Sequence, residues 1–192
     1  MGRGIKWASI RKLETKEKVD VLCLQETKKE VIENNVCLAL WGNYGVSWKM
    51  QPACNSAGGL LCIWNEEAFK VEKKMRGNGF IYLKGAWAAD GAKVIIVNIY
   101  SPCDIVLKRN LWKQIRQLRT ANIGELWSIL GDFNNVRRPS ERVGISQRMQ
   151  DESIVKEFND WIAELEVEDV LCVGLKVHLV LQKVGLTMLP AT

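Results

Sequence analysis

Between Gly59 and Tyr100 three apolar runs, Gly59–Trp64, Phe80–Trp87 and Lys93–Tyr100, follow one another with no helical pattern among them. Turn-forming pieces separate them: Asn65-Glu66-Glu67, Arg76-Gly77-Asn78-Gly79 and Ala89-Asp90-Gly91. Strands that succeed one another in this way build antiparallel sheet, and the Asp90-Gly91 step marks a hairpin. Two further apolar runs, Val19–Gln25 and Leu126–Asp132, each read as a buried strand that stops on or beside an acid. Helical patterns lie at Ile5–Glu17, Glu30–Trp41 and Ile105–Leu118, and from a cap at Asp151 to Leu165. An extended stretch starts at Gly42–Val46. The order is mixed α and β with mostly antiparallel strands, in sheets that need cover on both faces.

A chain of 192 residues with 47% apolar and 26% charged residues reads as one globular domain. It holds no apolar run of the roughly 18 residues that a membrane helix needs. The opening Met1-Gly2-Arg3-Gly4 is followed by no apolar stretch, so a secretory signal is not expected. The six cysteines are scattered without a C-x-x-C pair, and there is one histidine, His178. This pattern fits reduced thiols in a nuclear or cytoplasmic protein better than a zinc site or a disulfide framework. Trp64, Trp87 and Trp127 sit in strand patterns and read as core.

Charge is distributed unevenly. Residues 151–192 carry 3 Lys/Arg against 8 Asp/Glu, net −5, and residues 1–150 carry 24 against 14, net +10. A basic body of this kind suits a polyanionic partner or a plain solvated surface. Asn135–Gln150 lacks periodicity and reads as a basic loop with Arg137, Arg138, Arg142 and Arg148.

Three strand ends present polar groups: Leu24-Gln25-Glu26-Thr27, Asn98-Ile99-Tyr100-Ser101-Pro102 and Gly131-Asp132-Phe133-Asn134. A carboxylate at the end of a buried strand can take one corner of a Mg²⁺ octahedron, which needs only one or two protein carboxylates. Together with Ala57–Trp64, Glu141-Arg142-Val143-Gly144 and Phe158-Asn159, these pieces resemble the endonuclease/exonuclease/phosphatase superfamily. Within it, the likeness is to the apurinic-endonuclease-like domain of plant LINE-type (non-LTR) retrotransposons, over roughly Gly4–Lys176.

The resemblance implies an α/β four-layer sandwich: two mainly antiparallel β-sheets flanked by helices. It implies Mg²⁺-dependent phosphodiester hydrolysis on DNA, with Mn²⁺ as a possible substitute and no small-molecule cofactor. Glu26 matches the metal-binding glutamate, Tyr100 the tyrosine that reaches the scissile phosphate, and Asp132 the aspartate that orients or deprotonates water. Asn134 matches the asparagine that holds the phosphate or its transition state. Arg137, Arg138, Arg142 and Arg148 are candidates for DNA phosphate contacts. If the likeness holds, Glu26 and Asp132 converge on one rim despite their separation in sequence.

The chain also departs from the family. The strand with a Trp-Asn-Xaa-Arg-Gly type motif has no counterpart, nor have the Phe-Thr-Trp, Arg-Xaa-Asp and Ser-Asp-His motifs. Lys176-Val177-His178-Leu179-Val180 can be encoded AAA GTT CAC TTG GTT, and a shift of one nucleotide reads Lys-Phe-Thr-Trp. Residues 1–176 are thus expected to form a partial domain, and 177–192 a frame-shifted tail outside the native closing strands. The expected function is a LINE-type endonuclease domain, degenerate and impaired, or its inactive nucleic-acid-binding remnant. The basic loop disfavours a phosphoesterase for small phosphate esters.

Overall fold

The computed structural model describes residues 10–12, 15–16, 19–42, 45–54, 57–138, 152–170 and 179–181. The first sheet has three strands, β1 (Val21–Gln25), β2 (Val46–Gln51) and β3 (Leu60–Asn65), in the order β1-β3-β2 and antiparallel throughout. The second has six: β4 (Phe69–Gly77), β5 (Phe80–Trp87), β6 (Lys93–Tyr100), β7 (Leu126–Asp132), β8 (Glu168–Val170) and β9 (Leu179–Leu181), ordered β4-β5-β6-β7-β9-β8. All its pairs are antiparallel except β6 with β7. Three helices with described bounds accompany the sheets, α1 (Asn34–Trp41), α2 (Ile105–Thr120) and α3 (Glu152–Glu164), and residues 10–12 and 15–16 are helical as well.

The apolar clusters define four layers. Ile32, Cys37, Leu40 and Trp41 of the α1 region pack on Leu61 and Ile63, the outer face of the small sheet. The other face of β3, with Leu60, Cys62 and Trp64, meets Phe69, Ile81, Leu83, Val94 and Ile96 of the large sheet. On the far face of that sheet, Tyr82, Ile95, Val97, Trp127 and Ile129 pack against Leu111, Trp112 and Ile115 of α2 and Phe158, Trp161 and Ile162 of α3. This is why β3 and β6 are buried on both faces and read as continuous apolar runs, unlike a sheet with one wet face. Trp64 and Trp127 are buried as expected, and Trp87 packs at the edge of the inter-sheet core.

The α2 crossover makes β6 and β7 parallel, so both strands end on the same rim, with Tyr100 in register beside Asp132. Asp104 caps α2, its carboxylate accepting from the Leu107 amide at 2.9 Å. The expected hairpin lies between β5 and β6, where Asp90 Oδ1 accepts from the Ala92 amide at 2.9 Å.

Three expectations shift. α1 starts at Asn34 rather than Glu30, and α2 runs on to Thr120. Phe69–Gly77, with no clean apolar alternation, forms β4, an edge strand whose Lys70, Lys73, Lys74 and Arg76 are exposed. Charge on an edge strand discourages pairing with another chain. Of residues 177–192, Leu179–Leu181 is described, and its backbone runs antiparallel to both Ser128–Leu130 and Glu168–Val170. Backbone pairing needs no side-chain periodicity, which is why the pattern did not announce it. Asp151 and His178 lie outside the described residues.

Candidate active site

The rim is built where β1, β6 and β7 end. Asn98, fully buried within β6, ties the two sheets together. Its Nδ2 donates to the carbonyls of Leu24 at 3.2 Å and Leu61 at 3.3 Å, and its Oδ1 accepts from Gln25 Nε2 at 2.5 Å. This anchors the last residues of β1 over the end of β6. The chain then turns sharply: Glu26 and Lys28 have left-handed φ of 52° and 54°. Such conformations are uncommon for residues with a Cβ and concentrate at functional sites. Gly58 and Gly59 hold this turn from behind, their carbonyls accepting from Lys28 at 2.9 Å and Thr27 at 3.1 Å. A Cβ on Gly59 would sit 2.3 Å from Thr27 Oγ1, so only glycine fits there without displacement.

The turn delivers Glu26 to Tyr100, whose hydroxyl donates to Glu26 Oε1 at 2.8 Å. The same carboxylate lies 3.9 Å from Lys28 Nζ through Oε2 and is half exposed. Its hydrogen bond, then burial, then the charges of Glu26, Asp132 and Cys103 push the Tyr100 phenol up to about 12. Tyr100 therefore stays protonated and remains a donor at neutral pH.

Asp132 is exposed at the end of β7, and its Oδ1 accepts from the Asn134 amide at 2.9 Å in an Asx turn. Asn134 is left-handed, φ 46°, and its Nδ2 donates to the Ser101 carbonyl at 2.6 Å. Between them Phe133 is buried against Phe158 and Trp161, which fixes the turn to the core. The structure thus brings Glu26 and Tyr100 into contact, sets Asp132 beside Tyr100, and places Asn134 on the adjoining turn.

The expected phosphate-binding arginines fare differently. Arg137 Nε donates to Asn159 Oδ1 at 3.0 Å, and its Nη1 pairs with Asp169 at 2.5 Å. Its carbonyl also accepts from Asn159 Nδ2 at 3.0 Å. These contacts join the β7 loop to α3 and β8. Arg138 is exposed, and Arg142 and Arg148 lie outside the described residues.

Two residues shape the rim without being among those matched above to catalytic roles, Asn98 and Lys108. Asn98 is a polar residue inside the apolar run Val94–Tyr100, which is itself a signal. Lys108 is 2% exposed and donates to the Asn134 carbonyl at 2.7 Å. Its position among charged neighbours on a helix gave no sign of burial.

The donor set suits a hard divalent cation. Glu26 and Asp132 offer carboxylate oxygens to solvent, and Mg²⁺ retains waters around one or two such ligands. Among the described residues no three His, Cys, Asp or Glu side chains form a cluster that could hold a metal ion.

No family model matches this chain, and no curated protein does. Solved structures do. The AP endonuclease LMAP from Leishmania major matches with TM-score 0.66 at 18% identity, over 84% of this chain and 62% of that one. An endonuclease/exonuclease/phosphatase family protein from Bacteroides thetaiotaomicron matches with TM-score 0.62 at 9% identity, over 93% and 74%. The human nocturnin catalytic domain, crystallised with a sulfate anion, gives TM-score 0.60 at 13% identity, over 93% and 76%. The chain therefore spans less than two thirds of the Leishmania enzyme's length. Among the described residues no helix is long and apolar enough to cross a membrane. At these identities the likeness is one of architecture: the chain has the two-sheet α/β fold of endonuclease/exonuclease/phosphatase proteins.

Proposed function

We propose that this chain is a divalent-metal-dependent phosphodiesterase domain that nicks DNA, the endonuclease domain of a LINE-type element with reduced turnover. The observation that carries the reading is the hydrogen bond from Tyr100 to Glu26, made on the rim where Asp132 and Asn134 end β7. It joins residues 74 positions apart into one polar, solvent-facing constellation.

In this reading Glu26 and Asp132 would hold Mg²⁺, or Mn²⁺ in its place, together with waters and substrate phosphate oxygens. The ion, when bound, neutralises charge that builds on the phosphoryl oxygens. Tyr100 fixes the Glu26 carboxylate in one orientation through its donated hydrogen bond. Asp132 accepts a proton from the attacking water, for which a carboxylate within hydrogen-bond reach suffices. Asn134 has one amide N–H on Ser101 and a second left for a phosphate oxygen.

Net charge of +5 favours a polyanion, Lys28 is exposed beside Glu26 on the rim, and Arg138 is exposed. The test is conversion of supercoiled plasmid to open circle with and without Mg²⁺, alongside a salt titration of DNA association. Slow Mg²⁺-dependent nicking that Asp132→Ala removes supports the enzyme. Salt-sensitive association with no scission supports the inactive remnant instead.

A further inference from the structure

We propose that Lys108 is a positioning residue that clamps the Asp132-Phe133-Asn134 turn from beneath and so sets the Asp132 carboxylate for catalysis. The starting point is an ammonium in a place where ammonium groups are rarely found. Lys108 sits on the second turn of α2, is 2% exposed, and donates to the Asn134 carbonyl at 2.7 Å. Among the described residues no carboxylate oxygen makes an ion pair with it. Burial lowers its pKa, while the charges of Cys103 and Asp132 act the other way. Burying a charge without an opposite charge in contact is unfavourable, so a sequence under no other demand would place an apolar side chain here.

The group that receives the proton donor explains the placement. Asn134 is held left-handed at φ 46°, a conformation that persists only when its surroundings over-determine it. Its amide holds Asp132 Oδ1, its side chain holds the Ser101 carbonyl, and its own carbonyl is held by Lys108. Without Lys108 the carbonyl loses its buried donor, and the turn is free to relax toward ordinary backbone geometry. Asp132 would then lose the amide that orients it. Lys108 is buried and its hydrogen bond goes to the Asn134 backbone, so it acts through Asn134 and not on substrate.

The kinetic part of this inference rests on the nuclease reading, whereas the clamp itself does not. Lys108→Met keeps the aliphatic stem and removes both charge and donor. The thermal midpoint of the full chain should fall by no more than a few degrees, because the methionine keeps the packing of the stem while the Asn134 carbonyl loses its donor. Exchange of the Asn134 amide proton, measured by NMR, should speed up by about tenfold or more while β5 and β6 amides stay as they were. On plasmid DNA, kcat should fall by about 10²-fold with KM little changed, as expected for misplacement of a catalytic group. Unchanged Asn134 exchange would overturn the clamp. So would a fall in kcat that merely follows a fall in folded fraction. If wild-type protein does not nick at all, the nuclease reading fails, and the exchange measurement still decides the clamp.

Discussion

Tyr100 shows how much of the site depends on single groups. The folded protein holds its proton up to about pH 12 against an ordinary 10.0, because ionising it would break the bond to Glu26 and add a third negative charge to the rim. The sign follows: the raised pKa contributes stability that is present below pH 10 and lost as pH rises from 10 to about 12. Urea unfolding across that window should therefore show a steeper decline for wild type than for Tyr100→Phe. Glu26→Gln keeps an acceptor for Tyr100 but removes the charge, so it should raise the Mg²⁺ needed for half-maximal nicking by about tenfold or more. Asn98 makes a purely structural counterpart. Asn98→Leu leaves Gln25 and two carbonyls unsatisfied between the sheets, and chemical denaturation should show a loss of about 1–3 kcal/mol.

Elements differ in how clearly the sequence announced them. β3 and β6 are buried on both faces, so their residues are apolar in nearly continuous runs that need no partner to be recognised. β4 is the opposite case. It lies at a sheet edge, is half solvated, and its register shifts between Val71 and Lys73, so no period-2 pattern survives. β7 carries its own constraint at Gly131, whose φ is 134° and where a Cβ would fall 1.9 Å from the Ile99 carbonyl oxygen. Any side chain there must push β6 and β7 apart at the point where they present Tyr100 and Asp132. Gly131→Ala should accordingly lower stability by more than about 2 kcal/mol in a denaturant titration and disturb the site as well.

At the scale of the whole molecule, the layered α/β architecture and the polar strand ends were legible because each is written locally. Burial on two faces shows in composition, and a polar residue stopping an apolar run shows in order. What was not legible depends on contacts distant in sequence. Arg137 looked like a phosphate ligand in a basic loop, and only the fold brings Asn159 and Asp169 to it. Lys108 looked like one more surface cation until α2 packed over the β7 turn. The basic excess of residues 1–150 is real, but part of it is spent inside the structure and on the edge of β4.

If Glu26, Tyr100, Asp132 and Asn134 form one catalytic rim, purified protein converts supercoiled to open-circular plasmid slowly in Mg²⁺, and this conversion is absent in chelator and reduced by about 10²–10⁴-fold in Asp132→Ala. Scission that persists undiminished in Asp132→Ala, or that proceeds equally well without divalent metal, would contradict that arrangement.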